Sequence, residues 1–263
     1  MAKVYLSCAP ILLAFAASAH AADSNFAVST NGTDYSKAFG SRRETTAEST
    51  TDFGATAFTI SASQAKRKYE DDSFSAVRLA GTIYHDWSDR FYTRTSVSVS
   101  SNKPVFAKRE LASDFNLKVL PNAVLTVGGK AARYYDNRDV LSWSAGATYY
   151  FGGGFATYRF TSHDIDRLGK SHGHLATVRI KDGKGSGSTQ LWLGSGSSLH
   201  EEEILLSGSK GKFRSVALNR VQPLKGPVSL NISLGRTWYN TATADYRGTK
   251  ASIGLSFSGR VRP

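Results

Sequence analysis

The sequence predicts an all-β fold: a single twelve-stranded antiparallel transmembrane β-barrel with up-and-down topology. Three observations lead to this prediction: segments of alternating apolar and polar residues, an amino-terminal export segment, and turn signals at regular intervals. In Glu110–Val119, for example, Leu111 and Phe115 share one face, and Asp114 and Lys118 share the other. Successive side chains of a strand point to opposite faces, so such a segment has an apolar side and a wet side.

Residues 1–21 have the features of a secretory signal peptide. Lys3 provides the positive start, Ile11–Ala17 the apolar stretch and Ala19–Ala21 the small-residue cleavage motif. The apolar stretch is shorter than the about 20 residues that a membrane-spanning helix needs. Cys8, the single cysteine, lies in this segment. The exported protein is therefore expected to contain no disulfide, no thiolate metal site and no cysteine nucleophile.

The remaining chain is expected to divide into two parts. Residues 22–52 are polar and rich in Ser, Thr and Asp, and we interpret them as a periplasmic lead-in with room for one short strand near Asn25–Thr30. Residues 53–263 are assigned to the outer-membrane barrel domain, because no proline-rich or serine-rich linker divides them.

Turn chemistry divides the barrel region into twelve predicted strands. They are residues 54–66, 74–86, 90–101, 108–119, 122–134, 139–151, 154–162, 172–181, 188–197, 212–222, 227–239 and 246–258. An even number returns the chain to the side on which it began, as bacterial barrels require. Segment 212–222 is the least regular, because Arg214 and Arg220 share a face with Val216.

The connections between these segments alternate in length. Tight turns such as Trp87–Asp89 and Gly152–Gly154 are followed by longer, more charged connections such as His163–Ser171. Outer-membrane barrels have short turns on the periplasmic side and longer loops outside. Aromatic residues cluster at strand ends, as at Trp238 and Tyr239, which is typical of the aromatic girdles at membrane interfaces.

Basic residues dominate the charge of the chain. It has 33 Lys and Arg against 21 Asp and Glu, a formal net charge of +12, which favours anionic partners. Outer-membrane lipid, lipopolysaccharide and a small anionic solute fit an exported chain, whereas nucleic acid does not. Seven basic side chains are predicted to line the lumen: Arg78, Arg94, Lys118, Lys130, Arg159, Arg179 and Lys250. Burying such charges in the dry core of a soluble β-sandwich would be very costly.

A long stretch from Tyr92 to Gly196 resembles the YaiO family of outer-membrane β-barrels. The resemblance rests on Leu120–Tyr135, on Val140–Gly153, on Tyr158-Arg159 and on His172–Gly196. It implies a barrel of the bacterial outer membrane and carries over no catalytic residues. The chain departs from the family pattern at its end, where residues 258–263 follow the last alternating aromatic, Phe257.

Three functions remain open at this stage, and none of them needs a cofactor. The first is a non-enzymatic barrel acting as a narrow channel for small anionic or acidic-saccharide solutes, since basic side chains in a pore favour anions. The second is a closed structural or envelope-assembly barrel. The third is an outer-membrane lipid hydrolase that uses His172 or His174. These two histidines could also begin a metal site, but no third ligand lies nearby in the sequence, so no metal is predicted.

Overall fold

The computed structural model describes residues 23–69, 72–101, 105–134, 137–183, 187–197, 211–241 and 244–260, and the predicted signal peptide lies outside this part. The described residues form one closed antiparallel barrel of fourteen strands. The strands are β1 (Asp23–Tyr35), β2 (Ser41–Asp52), β3 (Thr56–Tyr69), β4 (Asp72–Asp86), β5 (Phe91–Ser100), β6 (Arg109–Leu120), β7 (Ala123–Arg133), β8 (Asp139–Phe151), β9 (Gly154–Ile165), β10 (Gly169–Lys181), β11 (Ser188–Ser197), β12 (Lys212–Pro223), β13 (Val228–Asn240) and β14 (Asp245–Arg260).

The predicted count of twelve strands is wrong, because residues 23–52 form two further strands. The twelve predicted segments correspond to β3–β14, whereas β1 and β2 occupy the region interpreted as a lead-in. β1 pairs with β2 on one side and with β14 on the other, and this pairing closes the barrel. Apart from Arg43, the outward residues of β2 are threonine, alanine and serine, such as Thr45 and Ala47. This face has no large apolar side chain to indicate a lipid-facing strand.

The register assigns each side chain to the outer or the inner face. Val28, Leu255 and Leu230 lie opposite one another on β1, β14 and β13, and they belong to the outer, apolar face. Inward residues are mostly small and polar, and they bond across strands, as Ser233 does with Ser252 at 2.7 Å. Within the described residues, no helix is long and apolar enough to cross a membrane.

The two ends of the barrel differ. Asp23 and Arg260 are strand partners at the end of the barrel that carries short turns such as Gly152–Gly153. In this turn Gly153 adopts a φ of 101°, which favours glycine. The strand ends joined by the longest connections, β5 to β6 and β11 to β12, are at the opposite end. Short turns face the periplasm in barrels of this kind, so we refer to the periplasmic end and the outer end.

The connection between β5 and β6 enters the lumen at the outer end. Val105 and Phe106 are only 5% exposed and pack with Ala65, Ala76 and Phe74 on the inner face of β3 and β4. The next residue, Ala107, packs against a second buried cluster formed by Ala132, Tyr134, Val140 and Ile165. The connection therefore narrows the lumen beside β2–β9.

Candidate functional site in the barrel lumen

All seven basic residues selected from the sequence lie on the inner face according to the strand register. Arg94 is opposite Asp114 on β6, and Lys250 is opposite Gly235 on β13 and Thr33 on β1. The strand partners also place five further residues on the inner face: Arg78, Lys118, Lys130, Arg159 and Arg179. Their role in lining a solute path stays a prediction.

Asp114 is the centre of an ionic network on the inner wall. Both terminal nitrogens of Arg159 donate hydrogen bonds to the Asp114 carboxylate, and the bond from Nη1 has a length of 3.2 Å. Arg159 also donates to the hydroxyl of Ser144 at 2.7 Å. On the other side, Nη1 of Arg94 lies 3.8 Å from the same carboxylate. Nε of Arg94 donates to the hydroxyl of Tyr84 at 3.0 Å. The single negative charge of Asp114 therefore offsets one of the two positive charges of these predicted lumen arginines.

Gly128 makes this network sterically feasible. Arg159 lies on β9 and Asp114 on β6, so their contact crosses β7 and β8. Gly128 is opposite both Asp114 and Ser144 on its neighbouring strands. A Cβ atom at this position would lie 2.8 Å from the Arg159 guanidinium and from the Ser144 hydroxyl, and closer still to the Asp114 carboxylate. The absence of a side chain at Gly128 is therefore a requirement of the ion pair.

Two more predicted lumen residues have acidic partners. Lys130 is 3.7 Å from Glu110, and Arg78 is 3.6 Å from Glu44, which also pairs with Arg42 at 2.9 Å. The guanidinium groups of Arg42 and Arg78 lie 5.4 and 4.6 Å from the centre of the Phe106 ring. Cation–π contacts of this kind hold an aromatic ring in place.

Arg42 and Glu44 were missed as lumen residues because their segment was assigned to the lead-in. The signal that could have found them is local: they lie two apart and therefore share a face if the segment is a strand. A third inward residue of this region, Arg67, donates to the backbone oxygens of Ser41 and Lys68 and lies 4.4 Å from the Tyr35 ring.

The remaining three predicted residues have no acidic partner in the part of the chain that the structure describes. Among the described residues, no carboxylate lies within 4.0 Å of Lys118, Arg179 or Lys250. Arg179 donates a hydrogen bond to Ser188 at 3.1 Å, and the two lysines are exposed to the lumen. Lys118 and Arg179 are near the periplasmic end, and Lys250 is nearer the outer end. Like Arg67, these three side chains add positive charge to the inner wall outside the ion pairs.

The lumen has a side with many ion pairs and a side of small polar residues on which Lys250 lies. A cavity of about 340 Å³ beside β5–β9 is lined by charged side chains that include Arg94, Glu110 and Lys130. The inner face of β11–β14 and β1 instead consists largely of serine, threonine, asparagine and glycine, as in Asn31 and Asn219. A solute on this side would meet hydroxyl and amide groups.

The histidine pair considered for catalysis or metal binding faces outward. His174 bonds to the Tyr158 hydroxyl at 2.7 Å, and Nδ1 of His172 is 3.5 Å from the Ser197 hydroxyl. Neither imidazole contacts a carboxylate in the part of the chain that the structure describes. A serine–histidine pair needs such a group to orient the imidazole. In the same part of the chain, no three His, Cys, Asp or Glu side chains are grouped to hold a metal ion.

Comparison with known proteins agrees with the barrel architecture. The model of the YaiO membrane beta barrel domain matches residues 23–203. The structure is similar to that of the CymD monoaromatic hydrocarbon channel, with a TM-score of 0.67 and 6% identity over 90% of this chain and 89% of that chain. It is also similar to a bacterial polysaccharide outer membrane secretin (TM-score 0.59, 8% identity, 90% and 98% covered). A third similar structure is Omp33 of Acinetobacter baumannii (TM-score 0.51, 10% identity, 91% and 100% covered).

Proposed function

Because the chain belongs to the YaiO family of membrane β-barrels of the bacterial outer membrane, we propose that it is a narrow, non-enzymatic channel for small anionic or acidic-saccharide solutes. The observation that carries this proposal is the inward position of Lys118, Arg179 and Lys250 without an acidic partner among the described residues. Uncompensated basic side chains lower the energy of an anion in a pore.

The proposed path runs along the inner face of β11–β14 and β1, where Lys250 lies, and Arg179 is on the adjacent strand β10. Phe106 narrows the opposite side, beside β2–β9, and the Asp114 network occupies the wall below it. Along β11–β14 and β1 the wall presents small polar residues that donate and accept hydrogen bonds. Such a surface fits a solute that carries hydroxyl groups and a negative charge. A fold similar to that of a barrel named as a hydrocarbon channel is consistent with a conduit.

Ion selectivity in planar lipid bilayers tests the proposal. The wild-type barrel should conduct with anion preference, and the triple variant K118E/R179E/K250E should shift the reversal potential toward cation preference. The control K37E/K66E/K225E makes the same change in net charge at residues that lie in turns or face outward, and its selectivity should remain that of the wild type. Unchanged selectivity in the lumen variant, or no conductance in the wild type, contradicts the channel.

A closed envelope-assembly barrel is the second candidate, and the Phe106 contacts favour it. Two guanidinium groups hold this ring in the lumen, and three ion pairs brace the wall around it. If the wild type does not conduct whereas F106A does, the barrel is closed by this connection and the second candidate replaces the first.

A further inference from the structure

Four basic side chains surround Trp238 on the outer face of β12–β14, at the outer end of the barrel. Arg214, Trp238 and Arg247 lie directly opposite one another on the three strands. Lys212 and Arg236 lie two residues from Arg214 and Trp238 on the same strands, and therefore share their face. We refer to Lys212, Arg214, Arg236 and Arg247 as the outer basic cluster.

The outer basic cluster lacks the acidic partners that other outward arginines have. At comparable positions, Arg43 pairs with Asp34 at 2.9 Å, and Arg133 pairs with Asp139 through two hydrogen bonds of 2.7 Å. No carboxylate lies within 4.0 Å of any of the four cluster side chains in the described parts of the chain. Four positive charges are thus brought together around one indole ring, and the nearby carboxylate of Asp245 accepts a hydrogen bond from Asn240 instead of pairing with a described residue of the cluster.

Arg236 provides a second indication that an acceptor is missing. Its Nε is buried and has no hydrogen-bond partner, and its guanidinium group lies 5.8 Å from the centre of the Trp238 ring. A buried donor without an acceptor destabilises a protein, more so when it is charged. An anionic ligand in the cluster would add the negative charge that the surrounding side chains lack, and its oxygens are the acceptors that guanidinium groups prefer.

The height of the cluster on the barrel indicates the source of such a ligand. Leu234, two residues from Arg236 on the same face, is apolar and 63% exposed, and Ile232 and Ile253 continue this surface toward the periplasmic end. Two residues of a strand span about 7 Å, so the cluster lies just beyond the hydrocarbon region of the membrane. Tryptophan is typical of this interfacial level. A cavity of about 800 Å³ opens at this rim of the barrel; its lining includes Lys212, Arg214 and Arg247 and also Asp245 and the inward-facing Tyr246.

We propose that the outer basic cluster binds the phosphate groups of a phosphorylated lipid of the outer leaflet, of the lipopolysaccharide class. The planar guanidinium groups of Arg214, Arg236 and Arg247 match phosphate oxygens in a forked geometry, and Lys212 adds a mobile positive charge. Trp238 lies beside the lipid at the boundary between the sugar and the acyl chains. This site is on the opposite face of the wall from the lumen and does not depend on the channel function.

Lipid binding to the purified barrel in detergent tests the proposal. The probes are lipid A with two phosphates, the same lipid with its phosphates removed, and inorganic phosphate, each measured by native mass spectrometry or calorimetry. The wild type should prefer the phosphorylated lipid by at least about tenfold, and R214Q/R236Q/R247Q should lose most of this preference, because hydrogen bonds to charged groups are the strong ones. Equal affinity of the wild type for the two lipids overturns the proposal. Tight binding of inorganic phosphate without lipid preference overturns the lipid source.

A matched control separates the cluster from net charge. R43Q/R109Q/R133Q removes three arginines from the outer face at the same end of other strands. This control should bind the phosphorylated lipid with the affinity of the wild type within about twofold, because exposed charges outside a specific site contribute little. A loss as large as that of the cluster variant shows that binding depends on overall charge, which contradicts a specific site. If R214Q/R236Q/R247Q does not fold, the single variant R236Q replaces it in the same binding measurement. An R236Q variant that prefers the phosphorylated lipid as strongly as the wild type also contradicts the proposal.

Discussion

Replacement of Gly128 by alanine tests the ionic network in the lumen. The added Cβ would lie 2.8 Å from Arg159 and from Ser144 and even closer to Asp114, so the Arg159–Asp114 pair must separate or the strand must shift. The side chains of Asp114 and Arg159 are 16% and 34% exposed. Breaking a fully buried ion pair costs about 3–5 kcal/mol, whereas an exposed pair contributes about 0–1 kcal/mol. For this half-buried pair we expect the free energy of unfolding to fall by about 1–3 kcal/mol.

The control for this prediction is the neighbouring residue. Gly129 is on the same strand but faces the lipid, and nothing lies within 4 Å of a Cβ placed there. Urea unfolding of the barrel in lipid vesicles, followed by tryptophan fluorescence, should show G129A close to the wild type and G128A destabilised. The loss caused by G128A should shrink in a D114N/R159Q background, because the pair is already absent. Equal stability of G128A and G129A would refute the steric argument.

Three other predictions concern the Phe106 connection, a periplasmic turn and the histidine pair. F106A should increase single-channel conductance because it removes a buried ring from the lumen, and unchanged conductance would contradict the constriction. In the turn after β10, a hydrogen bond from Arg220 lowers the pKa of Asp182. The stabilisation by this contact should be fully present above the pKa of the unfolded state, about 3.8, and should be lost as the pH falls through the lower pKa of the folded state. Acid unfolding of the wild type and of D182N, which lacks the carboxylate, measures this difference. The wild type and H172A/H174A should both leave the composition of a lipid extract unchanged. Lipid turnover by the wild type that the variant lacks would support the hydrolase.

The sequence was sufficient to predict the strands whose two faces differ strongly in polarity. β6 has leucine and phenylalanine on one face and charged residues on the other, so its faces can be assigned without a structure. In β2 the outward residues other than Arg43 are small and mostly polar, so the strand has no apolar face to reveal it. β1 has two large apolar residues on its outward face, Phe26 and Val28, and polar residues beyond them. Prediction therefore missed β2, recognised only part of β1 and did not assign either strand to the barrel, so the strand count was wrong.

The partners of the lumen residues could not be predicted, although their face could. Strand parity is a local property, and it places Arg159 on the inner face from its neighbours in sequence alone. Its pairing with Asp114, 45 residues away, depends on the registers of three successive strand pairs. It also depends on the glycine at residue 128, which permits the close approach. Sequence therefore indicated where the positive charge lies but not how much of it carboxylates neutralise.

The closing pair of strands, β1 and β14, links the two proposed sites. On β14, Arg247 faces outward and Lys250 faces inward, because the two residues are three positions apart and side chains alternate along a strand. Their positions are held by pairing with β13 on one side and with β1 on the other. A slip of one residue in this register would move Arg247 into the lumen and Lys250 into the lipid. In a barrel that lacked β1 and β2, β14 would have no partner on this side unless it paired with β3. β1 therefore acts together with β13 to fix which basic residue of β14 faces the lumen and which belongs to the outer basic cluster.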